Sequence, residues 1–422
     1  EVGRTNFNLA YHGLNDLELQ VKMAQLCEQA CPSLLHVADH CVPAGRARRR
    51  DKIRVGFVSS HFYNHTIAHL IRGIIAKLSR GTFAVTALCF SRQRDPVRDF
   101  IESHADQTIV LPSHLGRARH LIAAEEFDIL IYPDIGMSPL TYFLAFARLA
   151  PVQCVMWGHP VTTGIRTMDY FLSSELMEPV GSEQHYSERL IRLSRLPTYY
   201  YRPTLAGSGL DFRSHLGLDK RARLYVCPQS LFKLHPDFDS CMGAILREDS
   251  HGRLILIEGA LTHWTELLVR RLRNAIPDVI DRIRFLPRLR TELFYHLLAA
   301  ADVVLDPFNW SGGNTSYEAL AVGAPIVTLP GDFMRGRVTY ACYRQMAVMD
   351  CVATSEAEYV KLAIRLARDR SYRAAVQAKL RAATDRLYES LDAVRELEQF
   401  FREFVEKPER GPGEEGRESS GG

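Results

Sequence analysis

The chain has 422 residues, enough for two α/β domains of ordinary size. Hydrophobic content of 46% and charged content of 24% are ordinary globular values, and a net charge of +3 is too small to argue for a nucleic-acid partner. No apolar run reaches the roughly 18 residues that a membrane-spanning helix needs.

The chain starts at Glu1 with no signal-peptide pattern, and a region upstream of it is expected. Residues 1–50 form an N-terminal segment whose apolar positions (Leu17, Val21, Ala24, Leu26, then Leu34, Leu35, Val37) predict a helical pair broken at Pro32. The basic cluster Arg46–Arg50 reads as a solvated linker. Lys52–Ser59 suits a central parallel strand, followed by a helix over about 67–78 and a strand at 84–90. Further strands read at 107–111, 129–132 and 153–156, with helices near 115–125 and 140–149, and segments 169–172 and 188–193 finish this half. The alternation predicts a doubly wound domain over 51–203.

Pro197–Gly217, rich in proline and glycine and carrying Tyr199–Tyr201, reads as the linker. The alternation then repeats over 204–390, with strands at 224–227, 254–257, 283–286, 303–305 and 326–329. A C-terminal helix is expected at 391–406, and the Gly/Pro-rich tail 407–422 is expected to be disordered. The fold class is therefore α/β: two doubly wound, Rossmann-like domains facing a cleft, with ligand at the carboxyl ends of the strands. Nine scattered cysteines without a C-x-x-C pair argue against a disulfide framework and fit a cytoplasmic location.

The most informative stretch is Asp306–Glu318, a strand end followed by Gly312-Gly313, then Asn314 and Thr315 opening a helix with Glu318 one turn in. Free N–H groups and the positive end of a helix dipole make an anion site there. Glu318 is placed to hold a sugar hydroxyl of a nucleotide, so the segment suggests a nucleotide-diphosphate binder. Lys233, shortly after strand 224–227, is placed to reach a phosphate at that helix terminus. Strand 52–59 ends in a loop with His61, His65 and His69. His65 and His69 share a helical spacing that raises a metal reading, but no third ligand is evident and a structural role for His69 competes with it. His65 is a candidate functional group because strand-end loops face the cleft. Asp134 ends another strand and is either a carboxylate catalyst or a turn stabiliser. Asp237-Phe238-Asp239 mimics the D-x-D of metal-dependent sugar transferases, yet it sits at a helix start where acids complement the dipole.

Taken together, these residues resemble the family of O-linked N-acetylglucosamine transferases and their SPINDLY relatives, from about Lys52 to Leu387. The likeness is carried in order by Arg54–Ser60 with Asn64, His65 and His69, by Arg148–Gln153, Trp157-Gly158 with Pro160 and Thr163-Gly164, Met168–Tyr170 and Tyr186–Glu188. Leu231–Lys233, Phe285–Pro287, the Asp306–Glu318 stretch and Thr328–Gly331 with Arg337-Val338 continue it. The resemblance implies a GT-B fold and an inverting glycosyltransferase that uses a UDP-sugar donor, a protein or peptide acceptor, and neither metal nor cofactor. By position it implies His65 at the sugar and acceptor and Lys233 at the diphosphate. Asn314 and Thr315 would bind phosphate, Glu318 the ribose, Gly158 and Pro160 the sugar, and Leu289, Arg290 and Phe294 the base.

Several positions depart from the animal enzymes. Glu318 replaces a shorter acid, Phe294 an imidazole, and Ser230 a glutamine, with Gln229 adjacent. The Gly158–Thr163 loop is closer to bacterial cytoplasmic N-glucosyltransferases. The leading expectation is transfer of N-acetylglucosamine from UDP-GlcNAc to Ser or Thr. The alternatives are transfer of glucose from UDP-glucose or fucose from GDP-fucose, with Asn or Ser/Thr as acceptor, and a non-catalytic nucleotide-sugar-binding scaffold.

Overall fold

The computed structural model describes residues 5–42, 51–204, 212–217, 219 and 221–406. The expectations for Arg46–Arg50, for the centre of the 197–217 linker and for the tail lie outside them. The chain divides into two compact units. One holds the chain up to Ala10, Leu14–Tyr200 and the chain from Glu389; the other holds Tyr11–Gly13 and Tyr201–Tyr388.

The first unit is built on seven strands: β1 (Ile53–Ser59), β2 (Phe83–Cys89), β3 (Gln107–Val110), β4 (Ile129–Tyr132), β5 (Val152–Met156), β6 (Tyr170–Ser174) and β7 (Arg189–Leu193). All pair in parallel, in the order β3-β2-β1-β4-β5-β6-β7. β1 and β4 register Val55 with Ile129 and Phe57 with Ile131, and these side chains are fully buried. Strands buried on both faces need near-continuous apolar runs, which is why the sequence displays them so clearly.

The second unit has five parallel strands: β8 (Arg223–Cys227), β9 (Gly252–Ile257), β10 (Ile283–Leu286), β11 (Val303–Leu305) and β12 (Ile326–Val327). Their order is β10-β9-β8-β11-β12. In each unit the winding reverses once, between β1 and β4 in the first and between β8 and β11 in the second. At such a reversal the two strand-end loops diverge and leave a crevice beyond the carboxyl ends.

Three helical expectations need correction. Among its described residues the N-terminal segment holds one α-helix, Leu17–Ala30, and short 3-10 turns instead of a helical pair. Pro32 starts such a turn, and the chain beyond it bridges Val37 to Arg148, with Arg148 N–H donating to His36 O at 2.7 Å. The helix expected near 140–149 spans only Pro139–Leu144, because Leu149 is held by the Gln153 amide instead of continuing the ladder. A helix at Pro96–His104 was not anticipated. It provides the crossover that parallel β2 and β3 require. No described helix is long and apolar enough to cross a membrane.

Candidate active site

The crevice position of the first unit gathers the groups that follow β1 and β4. Ser59, the last residue of β1, donates its hydroxyl to Asp134 Oδ2 at 2.8 Å and accepts His61 N–H at 2.9 Å. Asp134 is fully buried, and burial raises its carboxyl to about 7, partly offset by the Ser59 hydrogen bond. His61 Nε2 lies 3.8 Å from Asp134 Oδ2, and the His61 ring stacks on His65 with centroids 4.3 Å apart. Burial, then the neighbouring His65, lowers His61 to about 4.

His65 caps the helix Thr66–Lys77, its Nδ1 accepting Ile67 N–H at 3.2 Å. A neutral imidazole that accepts at Nδ1 carries its proton on Nε2. In this conformation His65 presents a donor, not a base. His69 is turned to Asn64 Oδ1 at 2.9 Å, and among the described residues no group of three His, Cys, Asp or Glu converges as metal ligands. Asp95 ties the loop down: it caps Pro96–His104 at Val97 and Arg98 and accepts Asn64 N–H at 2.7 Å.

The loop with Gly158 and Pro160 is fixed by Glu188, whose carboxylate accepts from Thr162 Oγ1 at 2.7 Å, from Thr163 N at 2.8 Å and from Thr163 Oγ1. Gly158 has a packing reason of its own: a Cβ there would lie 2.4 Å from Pro133 O. Pro160 is buried, and His159 stacks on Phe7 at 5.0 Å. Arg148 and Asp169 form a bidentate ion pair, and Gln153 links Leu149, Ala147 and Thr167, so these motif residues act as scaffold.

In the second unit the reversal point joins β8 and β11. Lys233 Nζ donates to Gln229 Oε1 at 3.0 Å and reaches Ser311 O at 3.4 Å. Gln229 Nε2 donates to Thr315 Oγ1 at 2.6 Å. The three form one hydrogen-bonded chain at the start of the helix Asn314–Ala321, which Gly313 precedes in open space. Gly312 has no room for a side chain: a Cβ would sit 2.3 Å from Ser316 Oγ and 2.7 Å from Gln229 Nε2. Its N–H donates to Asp306 Oδ1 at 2.7 Å, while Thr328 Oγ1 donates to Oδ2 at 2.8 Å. Burial raises Asp306 to about 6 and lowers Lys233 to about 8, the latter partly offset by Asp306.

Asn314 Oδ1 is buried with no hydrogen-bond partner among the described residues. Glu318 is raised to about 7 by burial, partly offset by a hydrogen bond with Tyr295. Phe294 and Tyr295 lie in the helix Thr291–Ala300, which opens just after Leu289 and the exposed Arg290. Ser230 is exposed and outside the Lys233–Gln229–Thr315 chain, so Gln229 is the engaged residue of the pair. Asp239 is held by Arg271 at 2.7 and 2.8 Å, which accounts for the D-x-D mimic as a structural ion pair.

Sequence reasoning passed over Asp306, Ser311, Trp310 and Tyr11 here, and Ser59, His61 and Tyr63 in the first unit. Ser311 Oγ accepts Val338 N–H at 2.9 Å, and Tyr11 stacks on Trp310 at 4.1 Å, with Lys233 Nζ 5.9 Å from the Trp310 ring centre. The available signal was position: Asp306 and Ser59 each border a central strand's carboxyl end.

Two Rossmann-like units with polar loops at their reversal points define the GT-B class of fold. A solved lysine-to-methionine mutant of the Thermobaculum terrenum O-GlcNAc transferase superposes with a TM-score of 0.82 at 25% identity, over 94% of this chain and 75% of that one. Anabaena HepE, solved with UDP and glucose, shares the fold at a TM-score of 0.56 and 13% identity, over 83% of this chain and all of that one (100%). The chain belongs to glycosyl transferase family 41, whose model matches residues 12–201 and 208–397. A probable UDP-N-acetylglucosamine–peptide N-acetylglucosaminyltransferase, SEC of Arabidopsis thaliana, is 26% identical over 85% of this chain and 38% of its own length. A UDP-glucose:protein N-β-glucosyltransferase of Actinobacillus pleuropneumoniae is 24% identical over 58% of this chain and 39% of its own. The chain thus spans about two fifths of these relatives.

Proposed function

We propose that this chain is an inverting, metal-independent glycosyltransferase that moves N-acetylglucosamine from UDP-GlcNAc to Ser or Thr of proteins. The observation that carries the reading is the Lys233–Gln229–Thr315 chain at the N-terminus of Asn314–Ala321. Breaking the anomeric C–O bond leaves a diphosphate whose growing charge needs fixed dipoles and a cation. Lys233 supplies the cation, and the N–H groups of Gly313–Thr315 the dipoles. Burial lowers the ammonium to about 8, and a diphosphate beside it would raise that value and hold the charge.

Glu318, with Tyr295, serves the ribose in this reading, and Leu289, Arg290 and Phe294 serve the base. The first unit handles sugar and acceptor through Gly158, Pro160 and His65, the last as a donor from Nε2. Asp134 is the carboxylate available to take up a proton. Replacing Lys233 by Met should lower transfer about 10²–10³-fold while the fold survives. Wild-type turnover in that variant would remove Lys233 from the mechanism.

A second reading, glucose from UDP-glucose onto Asn, is favoured by the likeness to the Actinobacillus enzyme. A thermal-shift screen of nucleotide sugars with product mass spectrometry separates the two. Stabilisation by a guanosine diphosphate alone would refute both and favour the fucosyl alternative.

A further inference from the structure

The loops after β1 and β4 together hold a polar chain of which the proposed reaction so far uses only the Asp134 end. The Tyr63 hydroxyl lies 3.3 Å from His61 Nδ1. At the far side of the same ring, Nε2 faces Asp134 Oδ2 at 3.8 Å. His61 Nε2 and Asp134 Oδ1 are both buried with no hydrogen-bond partner among the described residues. A buried polar atom without a partner is costly, so two side by side on the adjoining loops after β1 and β4 call for a use. The assembly is braced, because Ser59 Oγ joins the Asp134 carboxylate to the backbone N–H of His61. Tyr63 is half-buried and forms the open end of the chain, whereas Asp134 is its closed end. His65 cannot replace His61 as acceptor in this arrangement, since Ile67 N–H occupies its Nδ1.

We propose that Tyr63, His61 and Asp134 form a relay that removes the acceptor's proton during glycosyl transfer, with Tyr63 as the residue that touches the acceptor. The inference rests on the glycosyltransferase reading and adds the route of the proton. The acceptor oxygen forms its bond to the anomeric carbon as the anomeric C–O bond to phosphate breaks, and that electron pair leaves with the diphosphate. The acceptor's proton passes to the Tyr63 oxygen while the Tyr63 proton moves to His61 Nδ1. As Nδ1 gains that proton, the ring's other proton leaves Nε2 for the facing Asp134 carboxylate, so His61 stays neutral and Asp134 ends as the carboxylic acid. His61 and Asp134 are positioning residues acting through Tyr63. The step needs no oxidant, metal or further reactant.

The test uses the full chain, UDP-N-acetylglucosamine, and a Ser/Thr peptide library read by mass spectrometry, with binding of UDP measured separately. Wild type is expected to transfer sugar. Tyr63→Phe and His61→Asn are each expected to lower kcat by about 10²–10³-fold with UDP affinity and donor KM unchanged. His61→Gly is expected to regain part of its kcat with added imidazole, which a merely structural loss would not show. Wild-type kcat in Tyr63→Phe, with the parent active, overturns the relay and leaves the glycosyltransferase reading standing. A parent chain that binds no UDP and transfers no sugar overturns both.

Discussion

Lys233 is a buried ammonium, and burial makes its charge dependent on pH near neutrality. Burial depresses it from 10.5 to about 8, so it is mostly charged below that pH and loses its proton as pH rises through it. The expected outcome is a fall in kcat/KM for the donor above about pH 8. The fall in kcat should come at higher pH, because the bound diphosphate draws the proton back. A donor kcat/KM that stays flat to pH 10 would contradict this. Asp134 carries the opposite sign. Its folded value of about 7 exceeds the ordinary 3.8, so the unfolded chain gives up its proton first and stability declines as pH rises from about 4 through 7. Asp134→Asn removes that cost, and we expect unfolding free energy above pH 7 to rise by on the order of 1–3 kcal/mol while transfer is lost. Denaturant melts at two pH values check the sign, and a destabilised variant would contradict it.

At the scale of elements, the site depends on one close backbone approach and one side-chain tether. The helix Asn314–Ala321 can present its N-terminus only because Gly312 leaves space for Ser316, Gln229 and Thr315. Gly312→Ala is expected to displace the Gln229–Thr315 bond and raise donor KM about tenfold, the loss of one good hydrogen bond. Circular dichroism should be unchanged. The other element is the crossover Pro96–His104, whose N-cap Asp95 also holds Asn64. Asp95→Ala should cost about 1 kcal/mol as a cap and also lower turnover by loosening the histidine loop. A stability loss with unaltered turnover would show that the tether to Asn64 is idle.

The same elements show what could be read from residues alone. Among the described residues the central strands were legible because they are short apolar runs, and β1 and β11 announce their loops directly, whereas the edge strands β3 and β7 are only partly buried. The helix Pro96–His104 was missed because only Val97 and Ile101 mark its buried face between charged residues, although Asp95-Pro96 is a sound helix-start signal. Nothing in the sequence singles out His61 beside the i, i+4 pair His65 and His69. What singles His61 out is Asp134, more than seventy residues away, and only the sheet order β1-β4 brings them together. Gln229 and Ser230 could not be ranked by sequence either, since one faces Thr315 and the other solvent only once β8 is placed.

For the whole molecule, each unit reverses its winding once and sets polar loops at that point, and the family match covers both units. In the proposed reading, donor chemistry falls to the unit carrying Lys233 and proton handling to the one carrying Asp134. The central claim is that Lys233 and the helix it faces carry the leaving diphosphate of a sugar transfer. The most direct measurement is product mass spectrometry of peptide glycosylation from UDP-GlcNAc, by wild type and by Lys233→Met at equal, verified folding. The expected result is a gain of one N-acetylhexosamine per modified peptide with the parent and turnover about 10²–10³-fold lower with the variant. Equal product from both would contradict it.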